Sequence, residues 1–209
     1  MHPVLLSIAN IEAGVRMKAT SHAFALTAYL PIPKFINVTP QVQAVLSARV
    51  YHICVSIIMD GLKTADAHGE VMSDPNGAQR LCHTPLVSWI ADMPEQRMVA
   101  CVLGNQSPIS EASLNQFGDS NPHPRRTRDM TLNRIAQACT AVDPITISQF
   151  VKVCTPLGLN GVHQPFWSSW GNACPSKFLT PDALHQWHKF SFNHILKWVI
   201  NIMGGDELD

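Results

Sequence analysis

The chain has 209 residues, 46% hydrophobic and only 14% charged. That length suits one domain, or one with an extension, and supplies enough apolar residues for a core. Fifteen basic residues offset fifteen acidic ones, which excludes the global positive charge that marks a general nucleic-acid binder and predicts modest solubility.

Residues 4–9, Val-Leu-Leu-Ser-Ile-Ala, read as a strand. A second strand is predicted over 23–30 and must stop at Pro31-Ile32-Pro33, because two prolines so close cannot continue a sheet interior. The first clear helix has Thr39 as N-cap and Pro40 at its first position, with apolar residues recurring from Val42 to Leu62. Gly61 and the polar stretch after it are expected to end this helix. Asp74-Pro75-Asn76-Gly77 is a strong turn signal, so a hairpin is predicted across 70–80. A strand over 86–91 leads to Asp92, and Pro94 then starts either a short helix or a turn into a further strand through 98–103.

Residues 104–127 form a loop rich in Ser, Asn, Pro and Gly that ends in Arg125, Arg126 and Arg128. Two helices are predicted over 130–141 and 146–153. An aromatic loop over 155–180 carries Phe166, Trp167 and Trp170. A last helix begins at Thr180-Pro181-Asp182, repeats Leu184, Trp187, Ser191, Ile195, Trp198 and Ile202 at helical spacing, and ends at Gly204-Gly205. The order fits a mixed α/β core over 1–104 followed by a loop-rich, mainly helical insertion over 105–209.

The six cysteines, at 54, 82, 101, 139, 154 and 174, are dispersed and form no Cys-x-x-Cys. That usage fits reduced, mostly buried thiols and an intracellular location. Met1-His2-Pro3 has neither the basic region nor the cleavage site of a signal peptide. The apolar run 190–203 is interrupted by Asn193, His194, Lys197 and Asn201 and is too short and polar to span a bilayer, so no membrane partner is expected. No phosphate-binding glycine loop, serine-hydrolase elbow, zinc-protease helix or dinucleotide glycine pattern occurs.

The most informative segment is Trp89-Ile90-Ala91-Asp92-Met93-Pro94-Glu95-Gln96. It reads as a strand ending in a carboxylate and turning at once into a helix. A carboxylate there can hold a divalent cation. It can equally be the helix N-cap, which Glu95 in the first turn suits. Asp182 also sits near a helix start, and Asp182 and His185, three apart, share one helical face. His52 and Cys54, two apart, point to different faces and do not form a joint metal site. Trp167 and Trp170 could stack on bases, but burial under the final helix is the preferred expectation. The arginine cluster could touch phosphate or be an ordinary solvated loop.

Taken together with Ala28-Tyr29-Leu30-Pro31-Ile32-Pro33-Lys34, Tyr51-His52-Ile53-Cys54, Leu159-Asn160-Gly161-Val162 before Pro165-Phe166-Trp167, Pro181-Asp182-Ala183-Leu184-His185 and His188-Lys189-Phe190, that segment resembles the middle of Plavaka-type transposases of fungal DNA transposons. These belong to the wider group of DDE transposases. The resemblance implies a partial ribonuclease H-like mixed sheet with helices, plus the helical insertion. It implies DNA as partner, a nuclear location if the function is retained, and Mg2+ or Mn2+ as the cofactor of the full-length ancestral enzyme. Three carboxylates in such enzymes hold two cations that activate the attacking oxygen and stabilise the leaving one.

Asp92 matches the second carboxylate. The first is expected on a strand that would precede His2, and the glutamate beyond Gly205 to Asp209. The chain is therefore expected to be a fragment, inactive alone, binding no metal by itself, with an oligomer or partner chain completing its sheet. Asp206, Glu207 and Asp209 are poor substitutes in a fraying terminus. Asp182 and His185 match a further motif of several transposase groups and are candidate metal ligands beside Asp92. Relatives often carry Cys-Pro-x-Cys where this chain has Ser107 and Ser110, so zinc is not expected. The alternative is a repurposed DNA-binding or protein-interaction module using Arg125, Arg126 and Arg128.

Overall fold

The computed structural model describes residues 1–204, with Gln186 by its backbone alone. Strand β1 (His2–Ser7) pairs antiparallel with β2 (Phe24–Leu30), the register shifting between Val4 and Leu5. Helix α1 (Ala13–Arg16) lies between them. Val4 and Leu30 join the core, while Leu5, Phe24, Leu26 and Tyr29 stay exposed. Pro31 stops β2 as expected, since its nitrogen has no proton to donate to a ladder.

Helix α2 (Pro40–Ile58) starts where predicted, with Thr39 accepting from the Val42 amide at 3.4 Å. It does not run on to Gly61. Met59 leaves helical geometry at φ −95° and ψ 7°, and α3 (Asp60–His68) follows as a separate helix. Gly61 sits in the first turn of α3. The glycine that ends α3 is Gly69, whose φ of 76° is costly for any residue with a Cβ. Helix α2 is long and apolar enough to cross a bilayer. Here it serves as a packing helix, burying Val45, Ala48, His52 and Val55 along one stripe.

Strands β3 (Glu70–Ser73) and β4 (Gln79–Cys82) form the predicted hairpin. The Asp74 carboxylate accepts from the Asn76 and Ala78 amides and from Arg80, which closes the turn. Strand β5 (Trp89–Ala91) is half the predicted length, and the chain after Asp92 is helix α4 (Met93–Val99). Helices α5 (Arg128–Ala141) and α6 (Ile147–Cys154) match expectation to within two residues. Helix α7 (Pro175–Phe178) lies in what the sequence presents as loop, and strand β6 (Leu179–Pro181) stands where the last helix is predicted to begin. The last helix begins with π-helical turns at Leu184–His188 and Ser191–Leu196 and continues as α8 (Lys197–Met203). Gly204, at φ 84°, ends it.

The architecture is thus mixed α/β, with eight α-helices and small sheets among the described residues. In place of one mixed sheet there are three two-stranded ones, β1–β2, β3–β4 and β5–β6, the last parallel. Prolines at 31, 94 and 181 crowd the strand ends, and three-residue strands offer few ladder bonds.

One apolar cluster draws on both sides of position 104, including Val55, Val99, Phe150, Cys154, Phe166, Trp167 and Phe178. Trp167 and Trp170 are buried, but not under the final helix. Trp167 donates to the Val99 carbonyl at 2.7 Å and Trp170 to the Thr84 carbonyl at 3.1 Å. Arg49 fastens α2 to the second half of the chain. It donates to the Pro144 carbonyl at 2.8 Å and the Gly161 carbonyl at 3.0 Å, and its guanidinium lies 5.4 Å from the Phe150 ring centroid. All six cysteines are free thiols. Burial pushes Cys154 up to about 11 and raises Cys101 well above its ordinary value, so both stay protonated.

Candidate functional site

Strands β5 and β6 run parallel, with Trp89 opposite Leu179, Ile90 opposite Thr180 and Ala91 opposite Pro181. The next residue on each is an aspartate, Asp92 on one and Asp182 on the other. The Asp182 amide donates to the Ala91 carbonyl at 3.1 Å, which extends the pairing to this point. Neighbouring strands lie about 4.8 Å apart, so the two aspartates leave the sheet side by side. The carboxyl ends of parallel strands are where open α/β sheets place ligands.

Asp92 is both strand tip and helix cap. It is half-buried, and its Oδ1 accepts from the Glu95 amide at 2.9 Å as N-cap of α4. Among the described residues, nothing donates to its Oδ2. The Asp182 carboxylate accepts from the Leu184 amide at 2.7 Å and from His185 Nδ1 at 2.5 Å. The bond from His185 holds the Asp182 carboxyl below the usual range. Spacing of three therefore does bring this pair together, with His185 spent on Asp182 itself.

Two neighbours of Asp92 brace it. Glu95 Oε1 accepts from the Tyr51 hydroxyl at 2.5 Å and from Trp89 Nε1 at 3.3 Å. Burial, with Glu95 beside it, pushes Tyr51 far up, so it remains a phenol and a donor. Gln96 is buried, and its amide nitrogen donates to the Ala91 carbonyl at 2.8 Å and the Thr180 carbonyl at 3.3 Å. Glu95 is legible in the sequence only as a first-turn acid that suits the cap, and Gln96 escapes a reading of the sequence. Glu95 and Gln96 look like an ordinary polar first turn, and the only hint of their roles is that they directly follow Asp92.

Carboxylates suit a hard cation such as Mg2+ or Mn2+. Among the described residues, no three His, Cys, Asp or Glu side chains converge on a metal-sized site, so Asp92 and Asp182 supply two oxygen-bearing groups and need more. Asp206, Glu207 and Asp209 lie outside the described residues. At the other candidate metal element, Ser107 Oγ accepts from the Ile109 and Ser110 amides, and Ser110 Oγ from the Ala112 amide. Both hydroxyls close their own turn.

The three arginines do not share a surface. Arg125 is exposed. Arg126 is fully buried and donates through Nε to the Ser107 carbonyl at 2.9 Å, while neither terminal nitrogen has a partner among the described residues. Burial lowers its pKa to about 10, so it still carries its charge at neutral pH. Arg128 reaches the Ser168 carbonyl at 2.6 Å and the Gly171 carbonyl at 3.4 Å. His52 is fully buried and Cys54 only partly so, on separate faces of α2.

Searches of curated proteins and of solved structures return no match to this chain. A family model described as Plavaka transposase matches residues 1–199. That span holds both strand-end aspartates, the residues that brace them and nearly all of the described fold, and the chain belongs to the Plavaka transposase family.

Proposed function

We propose that this chain is a transposase core segment whose ancestral chemistry is metal-dependent DNA transposition, and that it is catalytically inactive alone. The observation that carries this reading is the placement of Asp92 and Asp182 after adjacent parallel strands. The fold is read as part of a ribonuclease H-like core. An antiparallel ribbon, a parallel strand ending in Asp92 and the helix after it support that reading.

In DDE chemistry, carboxylates hold two Mg2+ or Mn2+ ions that polarise the attacking and leaving oxygens. Asp92, Asp182 and His185 form one part of that site. Further carboxylates, and a further strand along the open edges of β5 and β6, come from another segment or a partner chain. DNA is the substrate and the nucleus the place of action where the activity persists.

The test uses Mn2+ titration and incubation with supercoiled plasmid. The native chain is expected to bind no Mn2+ by itself and to leave the plasmid intact. Metal-dependent nicking abolished by Asp92→Asn would overturn the inactivity. Mn2+ binding lost in Asp92→Asn would show that this chain holds a complete cation site by itself and would overturn that part of the reading.

A second reading, a DNA-binding module without metal chemistry, draws on the exposure of Arg125. Salt-dependent duplex binding lost in Arg125→Ala supports it, whereas Arg126 is buried and Arg128 is turned onto the Ser168 carbonyl.

A further inference from the structure

We propose that the last helix carries a docking site for unpaired bases of single-stranded nucleic acid. The site consists of the aromatic cluster Phe190, His194 and Trp198 and the stripe Lys189, Asn193, Lys197 and Asn201 beside it. This inference rests on the reading of DNA as substrate and adds a place, apart from the strand-end aspartates, where the chain meets it.

The three rings hold one another. The centroids of Phe190 and His194 are 5.1 Å apart, those of His194 and Trp198 5.9 Å, and those of Phe190 and Trp198 6.3 Å in an edge-to-face arrangement. The cluster nevertheless faces water. Phe190 is 46% exposed, Trp198 54%, and His194 is exposed as well. Aromatic rings usually go into a core. Here they brace each other outside it, so little side-chain freedom remains to be lost when a flat ring docks on them.

Lys189, Asn193, Lys197 and Asn201 recur every four residues, and the first three each directly precede a ring of the cluster. Residues four apart are neighbours on a helix surface, so this polar stripe runs alongside the rings. Lys189, Lys197 and Asn201 are exposed and Asn193 is half-buried. From Ala183 to Met203 the chain has two lysines, three histidines and no acidic residue. A chain without net charge thus gathers one sign on this helix. Lysine and asparagine both donate to phosphate oxygens. An apolar partner would have to cover His194 in the middle of the rings, which is costly unless it is hydrogen-bonded. A polyanion that carries flat rings suits both stripes, with its phosphates on the lysines and its bases on the cluster. Bases in a duplex have their faces stacked on one another, so the fit is to a single strand.

The experiment is a fluorescence-anisotropy titration of the full chain with labelled oligothymidine, with an abasic strand of the same length and with duplex DNA. Tryptophan emission is read alongside, and circular dichroism checks the folding of each variant. The native chain is expected to bind oligothymidine about tenfold more tightly than the abasic strand and to lose tryptophan emission as it does so. Trp198→Ala should weaken oligothymidine about tenfold and leave the abasic strand unchanged. Lys189→Ala/Lys197→Ala should weaken both strands and flatten their salt dependence.

Equal affinity for oligothymidine and the abasic strand overturns the inference, since the bases then contribute nothing. Duplex binding at least as tight as that of oligothymidine, unchanged in Trp198→Ala, also overturns it and leaves DNA as the partner. Preference for phosphatidylserine vesicles over oligothymidine overturns it in favour of a lipid surface. If no nucleic acid binds, the inference falls together with DNA as a partner of this chain alone. Should Trp198→Ala fail to fold, the comparison of the two strands on the native chain decides.

Discussion

His52 shows how a single buried side chain ties pH to stability. Its Nε2 donates to the Met98 carbonyl at 3.1 Å, and its Nδ1 accepts from the Phe166 amide at 3.1 Å. Those partners fix the neutral tautomer, since a second proton on Nδ1 would face an amide proton. Burial lowers the pKa from the ordinary 6.5 to about 4. A histidine depressed in the folded state favours folding fully above pH 6.5 and loses that contribution as pH falls toward 4. The gap corresponds to roughly 3 kcal/mol. His163, also lowered by burial, works in the same direction. Urea midpoints are expected to fall steeply between pH 6.5 and 4.5. A flat profile over that window would show that His52 titrates normally. The sequence shows His52 and Cys54 on different helical faces, but which face lies in the core depends on what packs against α2.

Helix α4 separates capping from charge at Asp92. An aspartate-to-alanine change at an N-cap costs about 1 kcal/mol, whereas asparagine caps as well as aspartate. Asp92→Ala should therefore lower chemical stability by about that much, and Asp92→Asn should leave it nearly unchanged while removing the carboxylate. Denaturant melts of the two variants check this. A large loss in Asp92→Asn would mean that the negative charge itself holds the strand end. The start of α2 was legible because Thr39 and Pro40 mark it locally. The Met59 break was not, because apolar periodicity runs straight through it. Strand β6 was the consequential omission. Leu179–Pro181 is too short for alternation to register and ends in a proline, so its identity as a strand exists only through pairing with β5.

Across the whole molecule, the final helix stands clear of the core. Trp187 is 72% exposed and Ile202 83%, and Leu184, Phe192 and Trp198 also face solvent. The β1–β2 ribbon adds Leu5, Phe24, Leu26 and Tyr29. Exposed apolar surface of this extent drives association in a chain without net charge. Light scattering should show concentration-dependent self-association of the native chain, reduced in Trp187→Glu/Ile202→Glu. Surface changes of this kind usually shift stability by within about 0.5 kcal/mol. An unchanged association state in that variant would place the sticky surface elsewhere, with the ribbon as the next to alter.

Local chemistry determined much of this protein from the sequence alone. Proline and glycine placement fixed the end of β2 and the Asp74 turn, Thr39 set the start of α2, and the tryptophans of 155–180 announced a buried cluster. Asp92 was legible as a strand-tip carboxylate because strand and cap signals meet within four residues. Only the tertiary structure decided that Asp182 stands beside it, that Gln96 ties the two strands, and that Arg126 lies inside the molecule while Arg125 does not. The physical reason is that caps and turns are settled by neighbours in sequence. Strand pairing, and the choice of which polar side chain is buried, are settled by groups far apart along the chain that meet only when it folds.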